Sequence, residues 1–250
     1  MVKRFTDAGI VVILDLHWNT DDVGQSPMAL RGGDKVGGSI EFWESVAEKF
    51  KDNQFVFYEL YNEPHLDDSI STDVYLNGDD TYVGMLEMIA AVRKYSKHQP
   101  FVVAGARVYA FDTDSLIELD SKTDESLMIY NYHAYMNPSA PKALKNTDSI
   151  AENFEKLQSK TDKPIILTEF GQFCCDTNGS CGLYEGKWDG EEMGYAEAVV
   201  TVAQTYGASW TPWAWRPGAA GSANPQCQDV NEDGHGLKLR HPSDGTGPDW

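Results

Sequence analysis

Short, strongly apolar runs alternate along the chain with segments whose apolar residues recur at helical spacing. The apolar runs predict buried parallel strands, because a strand that is covered on both faces is apolar at nearly every position. We predict six strands, over residues 10–16, 55–63, 101–106, 127–133, 164–169 and 208–215. We predict helices between them, over residues 39–53, 79–98, 115–119, 149–160 and 191–206. This alternation predicts an α/β fold with a parallel sheet and helices outside it.

Periodicity and capping residues support the helix predictions. The expected inner faces carry Trp43, Val46, Ala47 and Phe50 in the first helix, and Met85, Ile89, Val92 and Tyr95 in the second. Ser149 and Glu152 fit a capping box that opens a helix, and Gly207 fits the C-cap of the last one. Six strand–helix units suit a doubly wound sheet, whereas a closed barrel needs eight. No Gly-x-Gly-x-x-Gly turn follows a strand, so nothing favours a dinucleotide-binding fold.

Composition narrows the choice of partners. The 250 residues carry a formal net charge of −19, which argues against nucleic acid or an anionic membrane as the partner. The length suits one large α/β domain or two small ones, and we predict a single domain over residues 1–250 whose Gly- and Pro-rich segment 216–250 is irregular. Seven Trp and twelve Tyr indicate either core packing or stacking platforms for sugar rings. We expect a monomer, and no apolar segment approaches the length of a membrane span.

Four cysteines lie late in the chain, at Cys174, Cys175, Cys181 and Cys227. Their spacing fits no Cys-x-x-Cys metal pattern, so we favour two disulfides over free thiols. The glycosylation sequon that begins at Asn178 agrees with a secreted protein, although the N-terminus has no signal-peptide hydrophobic region.

Polar and aromatic residues gather at the predicted carboxyl ends of the strands, which is where α/β folds place their chemistry. These residues are His17, Asn62, Glu63, His133, Tyr135, Glu169, Trp213 and Trp215. Each residue by itself has an ordinary structural explanation, but their joint occurrence at one end of the sheet indicates a functional site. Glu63 and Glu169 are the most informative, because glycoside hydrolysis needs two carboxyl groups from separate elements, one as the acid and one as nucleophile or base.

Five segments carry a resemblance to a known family. They are residues 13–17 (ILDLH), 61–64 (YNEP), 132–135 (YHAY), 167–171 (LTEFG) and 209–213 (SWTPW). In this order and at these spacings, the chain resembles glycoside hydrolase family 5, a retaining family of (β/α)8 barrels. The resemblance covers strands 3 to 8 of eight, so we expect an N-terminally incomplete barrel.

The resemblance implies a role for each site residue. Glu63 is similar to the family's acid/base and Glu169 to its nucleophile. Asn62 matches the residue that binds the sugar 2-hydroxyl. His17, His133 and Tyr135 match groups that line the catalytic subsite, and Trp213 matches the platform under the sugar. We expect Tyr135 to donate a hydrogen bond to Glu169, and His133 to hold Glu63 or the aglycone side. Trp18 and Trp188 are candidates for outer subsites.

The implied activity is that of an endo-β-glycanase acting on β-1,4-glucan with retention and without a cofactor. A β-mannanase or another β-glucan hydrolase with the same catalytic set is the alternative. The alternative from another functional class is a carbohydrate-binding fragment without catalytic activity. It is considered because two βα units, and a family arginine that braces the nucleophile, have no counterpart here. An incomplete sequence is the explanation we favour over a gapped barrel, whose exposed parallel edges would promote aggregation. The 250-residue chain alone is therefore expected to be poorly soluble and weakly active.

One segment near the C-terminus resembles the start of a calcium loop. Asp229, Asn231 and Asp233 follow the D-x-N-x-D-G pattern, but Arg240 stands where that pattern needs an acidic residue. We favour a polar surface turn over a Ca²⁺ site, and no other metal site is predicted.

Overall fold

A computed structural model describes residues 1–18, 25–32, 37–136, 147–172, 185–188 and 191–213. The helices are α1 (Val2–Thr6), α2 (Ser39–Phe50), α3 (Thr72–Asn77), α4 (Met85–Arg93), α5 (Asp114–Lys122), α6 (Thr147–Gln158) and α7 (Tyr195–Thr205). The strands are β1 (Val12–Asp15), β2 (Val56–Glu59), β3 (Phe101–Ala104), β4 (Met128–Met136), β5 (Ile165–Gln172), β6 (Glu185–Trp188), β7 (Glu191–Gly194) and β8 (Ser209–Trp210). Among the described residues, no helix is both long and apolar enough to span a membrane.

The chain divides into two compact units. The first unit comprises Met1–Tyr132 and Leu157–Pro164, and the second comprises His133–Lys156 and Ile165–Trp250. Strand β4 begins in the first unit and ends in the second.

In the first unit, β1 to the start of β4 form a parallel sheet in chain order. The registers pair Asp15 with Glu59 between β1 and β2, and Phe101 with Met128 between β3 and β4. Helices α2 and α4 pack together, and α2 turns the fully buried Trp43 towards β2. The Trp43 indole meets the Tyr58 ring edge-on, with ring centroids 5.8 Å apart. Burying an aromatic ring of this size stabilises the fold by roughly 2–3 kcal/mol.

In the second unit, β5 and β8 pair in parallel, with Ile166 opposite Ser209. Strands β6 and β7 form an antiparallel pair. Helix α7 packs on β5 through an apolar face that includes the fully buried Val199 and Val202. The Phe170 and Trp210 rings meet edge-on across the β5–β8 pair, with centroids 5.8 Å apart.

All six predicted strands are present, most of them with shorter bounds than predicted. The inner face of α4 is confirmed, because Met85, Ile89 and Val92 are buried. The single helix predicted over 79–98 is wrong at its start. The Asp79 carboxylate accepts hydrogen bonds from the backbone N–H groups of Thr81 and Tyr82, at 2.8 Å each, and this turn replaces a helical start. The helix therefore begins only after Gly84.

Two other helix starts differ from the prediction. Residues 191–194 pair with β6 as a strand, so α7 begins at Tyr195 rather than at residue 191. Helix α6 begins at Thr147, which places Ser149 inside the helix instead of at its cap. The prediction for Gly207 is confirmed, because it follows α7 with a left-handed φ of 66° that suits glycine at a helix end.

Candidate active site

Glu63 lies on a segment that continues β2 beyond its last ladder residue. The Leu60 N–H donates to the Val102 carbonyl and the Asn62 N–H donates to the Leu16 carbonyl, each at 3.2 Å. These bonds alternate between the two neighbouring strands, so the segment stays in the plane of the sheet. Glu63 is therefore delivered to the carboxyl ends of β1, β2 and β3, as predicted.

Two side chains bind the backbone carbonyl of Glu63. Gln25 donates from Nε2 at 3.0 Å, and the Nδ1 atom of His65 lies 2.9 Å away. A carbonyl only accepts hydrogen bonds, so Nδ1 of His65 must carry the hydrogen. The peptide that follows Glu63 is thus fixed from two directions.

Asn62 is placed to receive a ligand. Its side chain is only 2% exposed, yet within the described part of the chain its Oδ1 atom has no hydrogen-bond partner. An unsatisfied buried acceptor costs about 1–3 kcal/mol. A ligand hydroxyl that donates to Oδ1 would recover that cost, and this agrees with the role that the resemblance implies for Asn62.

His17 follows β1 and is oriented by an acidic neighbour. Its Nδ1 atom lies 2.7 Å from Oδ2 of Asp15, which places the hydrogen on Nδ1 and leaves Nε2 for other contacts. The Trp18 ring lies 4.8 Å from the His17 ring and is half exposed. Trp18 is therefore accessible to a ligand at the carboxyl end of β1, as the prediction of an outer subsite requires.

A buried polar pair lies on β2 and β4 of the first unit. Asn131 donates from Nδ2 to Oε1 of Glu59, and the two residues are 0% and 4% exposed. Neither residue is among those predicted from the sequence. An acidic residue inside an otherwise apolar strand was the signal that could have revealed Glu59, because such a group is buried only with a partner.

The loop after β3 presents an aromatic ring to His65. Tyr109 stacks on the His65 ring with centroids 4.4 Å apart and planes inclined by 14°. Three successive residues, Val108, Tyr109 and Ala110, adopt left-handed φ values of 57°, 54° and 65°. Each costs about 1–2 kcal/mol relative to a right-handed conformation. Strain of this kind persists only where the surroundings impose it.

The same loop closes tightly on its own start. A Cβ atom at Gly105 would lie 1.8 Å from the carbonyl oxygen of Asp112, so only glycine fits there. Ala106 donates its N–H to Oγ of Ser115 at 2.7 Å and accepts from the Leu66 N–H at 3.0 Å. The loop is thereby tied to the segment that carries Glu63.

Glu169 lies on β5 in the second unit and is 7% exposed. The Tyr135 hydroxyl donates to its Oε2 atom at 2.7 Å, which confirms the predicted hydrogen bond. Nδ1 of His133 lies 3.7 Å from the same oxygen, and Nε2 of His133 lies 3.0 Å from Oγ1 of Thr168. A donor on a buried carboxylate favours its ionised form, which is the form that a nucleophile needs.

Trp213 follows β8 and stays attached to β5. Its backbone N–H donates to the Phe170 carbonyl at 3.1 Å, and the backbone N–H of Thr211 donates to the Leu167 carbonyl at 2.8 Å. The parallel ladder thus extends past the two residues of β8, and the half-buried Trp213 stands at the carboxyl ends of these strands, as predicted.

The predicted site residues that the structure describes fall into two groups, one in each unit. Asn62, Glu63 and His17 belong to the first unit, and His133, Tyr135, Glu169 and Trp213 to the second. Other predictions lie outside the described residues or side chains. These concern Cys174, Cys175, Cys181, Cys227, the sequon at Asn178, Trp188, Trp215, and the calcium candidates Asp229, Asn231 and Asp233.

Comparisons with known proteins agree with the resemblance seen in the sequence. Endoglucanase A of Butyrivibrio fibrisolvens is 26% identical over 270 residues, covering 100% of this chain and 53% of the relative. The chain thus spans about half the length of this curated relative. The solved cellulase Cel5C_n has a TM-score of 0.56 at 20% identity, over 91% of this chain and 62% of its own. XacCel5A, solved with cellopentaose, has a TM-score of 0.55 at 19% identity, over 90% of this chain and 69% of its own.

The two structural likenesses confirm the predicted fold class, an α/β fold of the incomplete (β/α)8-barrel type. A family model described as "Cellulase (glycosyl hydrolase family 5)" matches residues 1–219, which is most of the 250-residue chain. The chain therefore belongs to the cellulase family of glycosyl hydrolases, family 5.

Proposed function

We propose that the protein is a retaining endo-β-glycanase that hydrolyses β-1,4-glucan by double displacement. The observation that carries the proposal is the buried carboxylate of Glu169 with the Tyr135 hydroxyl donating to it at 2.7 Å. A hydroxyl that donates to a buried carboxylate favours its ionised form, which is the form that a nucleophile needs. Family membership supports the choice of reaction class.

In the first step, Glu169 attacks the anomeric carbon while Glu63 gives its proton to the leaving glycosidic oxygen. The C1–O bond breaks, and a covalent glycosyl–enzyme ester forms on Glu169. In the second step, Glu63 removes a proton from water, and the water oxygen displaces Glu169 from C1. Both carboxyl groups return to their starting states, and two inversions give net retention. The chemistry requires no cofactor.

Substrate contacts are assigned to the remaining site residues. Asn62 accepts a hydrogen bond from a sugar hydroxyl through its otherwise unpartnered Oδ1, and the Trp213 ring supports the C–H face of a sugar. The resemblance assigns His17 and His133 to the lining of the catalytic subsite. In this proposal, residues 1–250 serve one catalytic domain that acts as a secreted monomer on β-linked polysaccharide.

Support for a glucan comes from the relatives. One relative is named an endoglucanase, and a structural neighbour was solved with cellopentaose. A β-mannan is the competing substrate, because the choice between the two depends on how the site treats the epimeric 2-hydroxyl.

Reducing-sugar release on carboxymethylcellulose, mannan and mixed-linkage glucan tests the proposal. We expect the fastest release from the β-1,4-glucan, and proton NMR should show the β-anomer as the first product. Glu169→Gln and Glu63→Gln should each lower the rate by at least 10²-fold. The control is Glu155→Gln, which changes a surface glutamate that accepts from Tyr206. Initial formation of the α-anomer, or full activity in Glu169→Gln, would overturn the mechanism.

A further inference from the structure

We propose that His65 is a positioning residue that fixes the acid/base Glu63 through its backbone carbonyl. The proposal rests on the function proposed above, because it assigns His65 a part in the proton transfer made by Glu63. His65 does not itself exchange the proton.

The geometry supports a positioning role over a simple turn contact. Nδ1 of His65 lies 2.9 Å from the Glu63 carbonyl oxygen, and Nε2 of Gln25 donates to the same oxygen at 3.0 Å. Gln25 is 38 residues away in sequence, so two independent segments converge on this atom. A carbonyl held from two sides cannot rotate about its peptide without losing both bonds.

The His65 ring is itself held in place. Tyr109 stacks on it at 4.4 Å, from a loop whose backbone is strained at three successive residues. The loop is anchored at Gly105 and bonded to the Leu66 N–H through Ala106. A fixed ring is what a positioning residue needs, because a mobile donor would let the carbonyl drift.

The hydrogen bond also survives protonation of His65. Nδ1 carries a hydrogen in the neutral tautomer required here and in the charged imidazolium. The carbonyl is therefore held in both charge states.

Positioning of a general acid has a specific kinetic signature. Protonation of the leaving oxygen matters greatly for a sugar alkoxide and little for a 2,4-dinitrophenolate, which departs without help. A misplaced Glu63 should therefore lower kcat/KM for cello-oligosaccharides but not for 2,4-dinitrophenyl β-cellobioside. A general structural defect would lower both.

Two substitutions at His65 separate its hydrogen bond from its stacking. His65→Phe keeps a ring against Tyr109 and removes the donor, whereas His65→Asn keeps a donor near the Nδ1 position and removes the ring. We expect His65→Phe to lower kcat/KM on cello-oligosaccharides by on the order of 10-fold, with less than about 2-fold change on the dinitrophenyl substrate. We expect His65→Asn to recover most of that loss. The matched control is His98→Phe, at an exposed histidine.

Gln25→Leu provides a second route if His65→Phe fails to fold. It removes the other donor and should show the same leaving-group dependence to a smaller degree. The double variant should lose more than the product of the single losses, because in each single variant the remaining donor still holds the carbonyl in part.

Equal losses on both substrates, or an Asn variant as damaged as the Phe variant, would overturn the proposal. Failure of the underlying function looks different. If Glu63→Gln lowered kcat/KM equally on both substrates, Glu63 would not be the acid. If Glu63→Gln showed the leaving-group dependence while the His65 and Gln25 variants matched wild type, only the positioning role would fall.

Discussion

Replacement of Tyr135 by phenylalanine tests the support of the proposed nucleophile. The substitution removes one oxygen and leaves the ring that strand β4 carries. In the structure this oxygen donates to Oε2 of Glu169 at 2.7 Å, and the Glu169 side chain is 9% exposed. Water is therefore poorly placed to replace the lost donor.

The size of the effect follows from this contact. A hydrogen bond to a charged acceptor contributes about 1.5–3 kcal/mol, and 1.36 kcal/mol corresponds to one pH unit of displacement in a titration. Nδ1 of His133 remains 3.7 Å from the same oxygen and offsets part of the loss, so the lower end of that range applies. The Tyr135 hydroxyl favours the ionised form of Glu169, so its removal makes protonation of Glu169 easier. We therefore expect the acid limb of kcat/KM to move to higher pH by roughly 1 unit.

The assay is a pH profile of kcat/KM on carboxymethylcellulose or a cello-oligosaccharide. On the acid side, the Tyr135→Phe variant should be on the order of 10-fold slower than wild type, and the difference should narrow towards neutral pH. Tyr206→Phe is the matched control, because Tyr206 also donates to a carboxylate, that of Glu155 at 2.6 Å, in the same unit. It should leave the profile unchanged.

An unmoved acid limb in Tyr135→Phe would refute the reasoning, even if the rate fell at all pH values. A uniform fall would show that the hydroxyl contributes to binding or packing. A shift of the same size in Tyr206→Phe would also refute it, because the effect would then not be specific to Glu169.

Three further substitutions test the first unit. Glu125→Gln should lower the free energy of unfolding by roughly 1–3 kcal/mol at neutral pH, because Arg93 loses the carboxylate 2.6 Å from it. Burial acts to raise the pKa of Glu125, but its hydrogen bond from Arg93 and other contacts outweigh this, so the pKa is lowered. The stabilisation by Glu125 is therefore present above the pKa it has in the unfolded chain, and it is lost as the pH falls through the pKa it has in the folded protein. Urea unfolding at several pH values measures this loss. Gly105→Ala should destabilise by roughly 2–4 kcal/mol in a thermal melt, because its new methyl group meets the Asp112 carbonyl; an unchanged Tm would contradict that clash. Tyr75→Phe should cost about 1 kcal/mol, because the buried hydroxyl donates at 2.9 Å to a carbonyl of β3; denaturant unfolding that shows no loss would contradict this.

The features that the sequence predicted best depend on local pattern. Apolar runs predicted where the strands lie, and Glu63 and Glu169 were found because each ends one of these runs. The hydrogen bond between Tyr135 and Glu169 was expected from the family resemblance, and it is present in the structure.

The features that escaped prediction depend on contacts between distant residues. The stack of His65 on Tyr109 needs a left-handed turn at three residues that are not glycine, and no local rule predicts such a turn. The strand at 191–194 forms because its backbone pairs with residues 185–188, which outweighs its local helical pattern. The Glu59–Asn131 pair is hidden in sequence because its members are 72 residues apart.

In the proposed mechanism, the two carboxyl groups need different kinds of support. Glu169 must stay ionised until it attacks, and a donor on the carboxylate itself, the Tyr135 hydroxyl, stabilises that charge. Glu63 must release a proton in one step and take one up in the next, so a strong donor fixed on its carboxylate would favour one state over the other. The bonds from Gln25 and His65 hold its main chain, and they are the same in both protonation states of the carboxyl group. Support through the backbone therefore fixes the position of an acid/base without biasing its proton, whereas support through the side chain suits a nucleophile. Substitutions at His65 should therefore change the leaving-group dependence without moving the acid limb of the pH profile, and Tyr135→Phe should do the reverse.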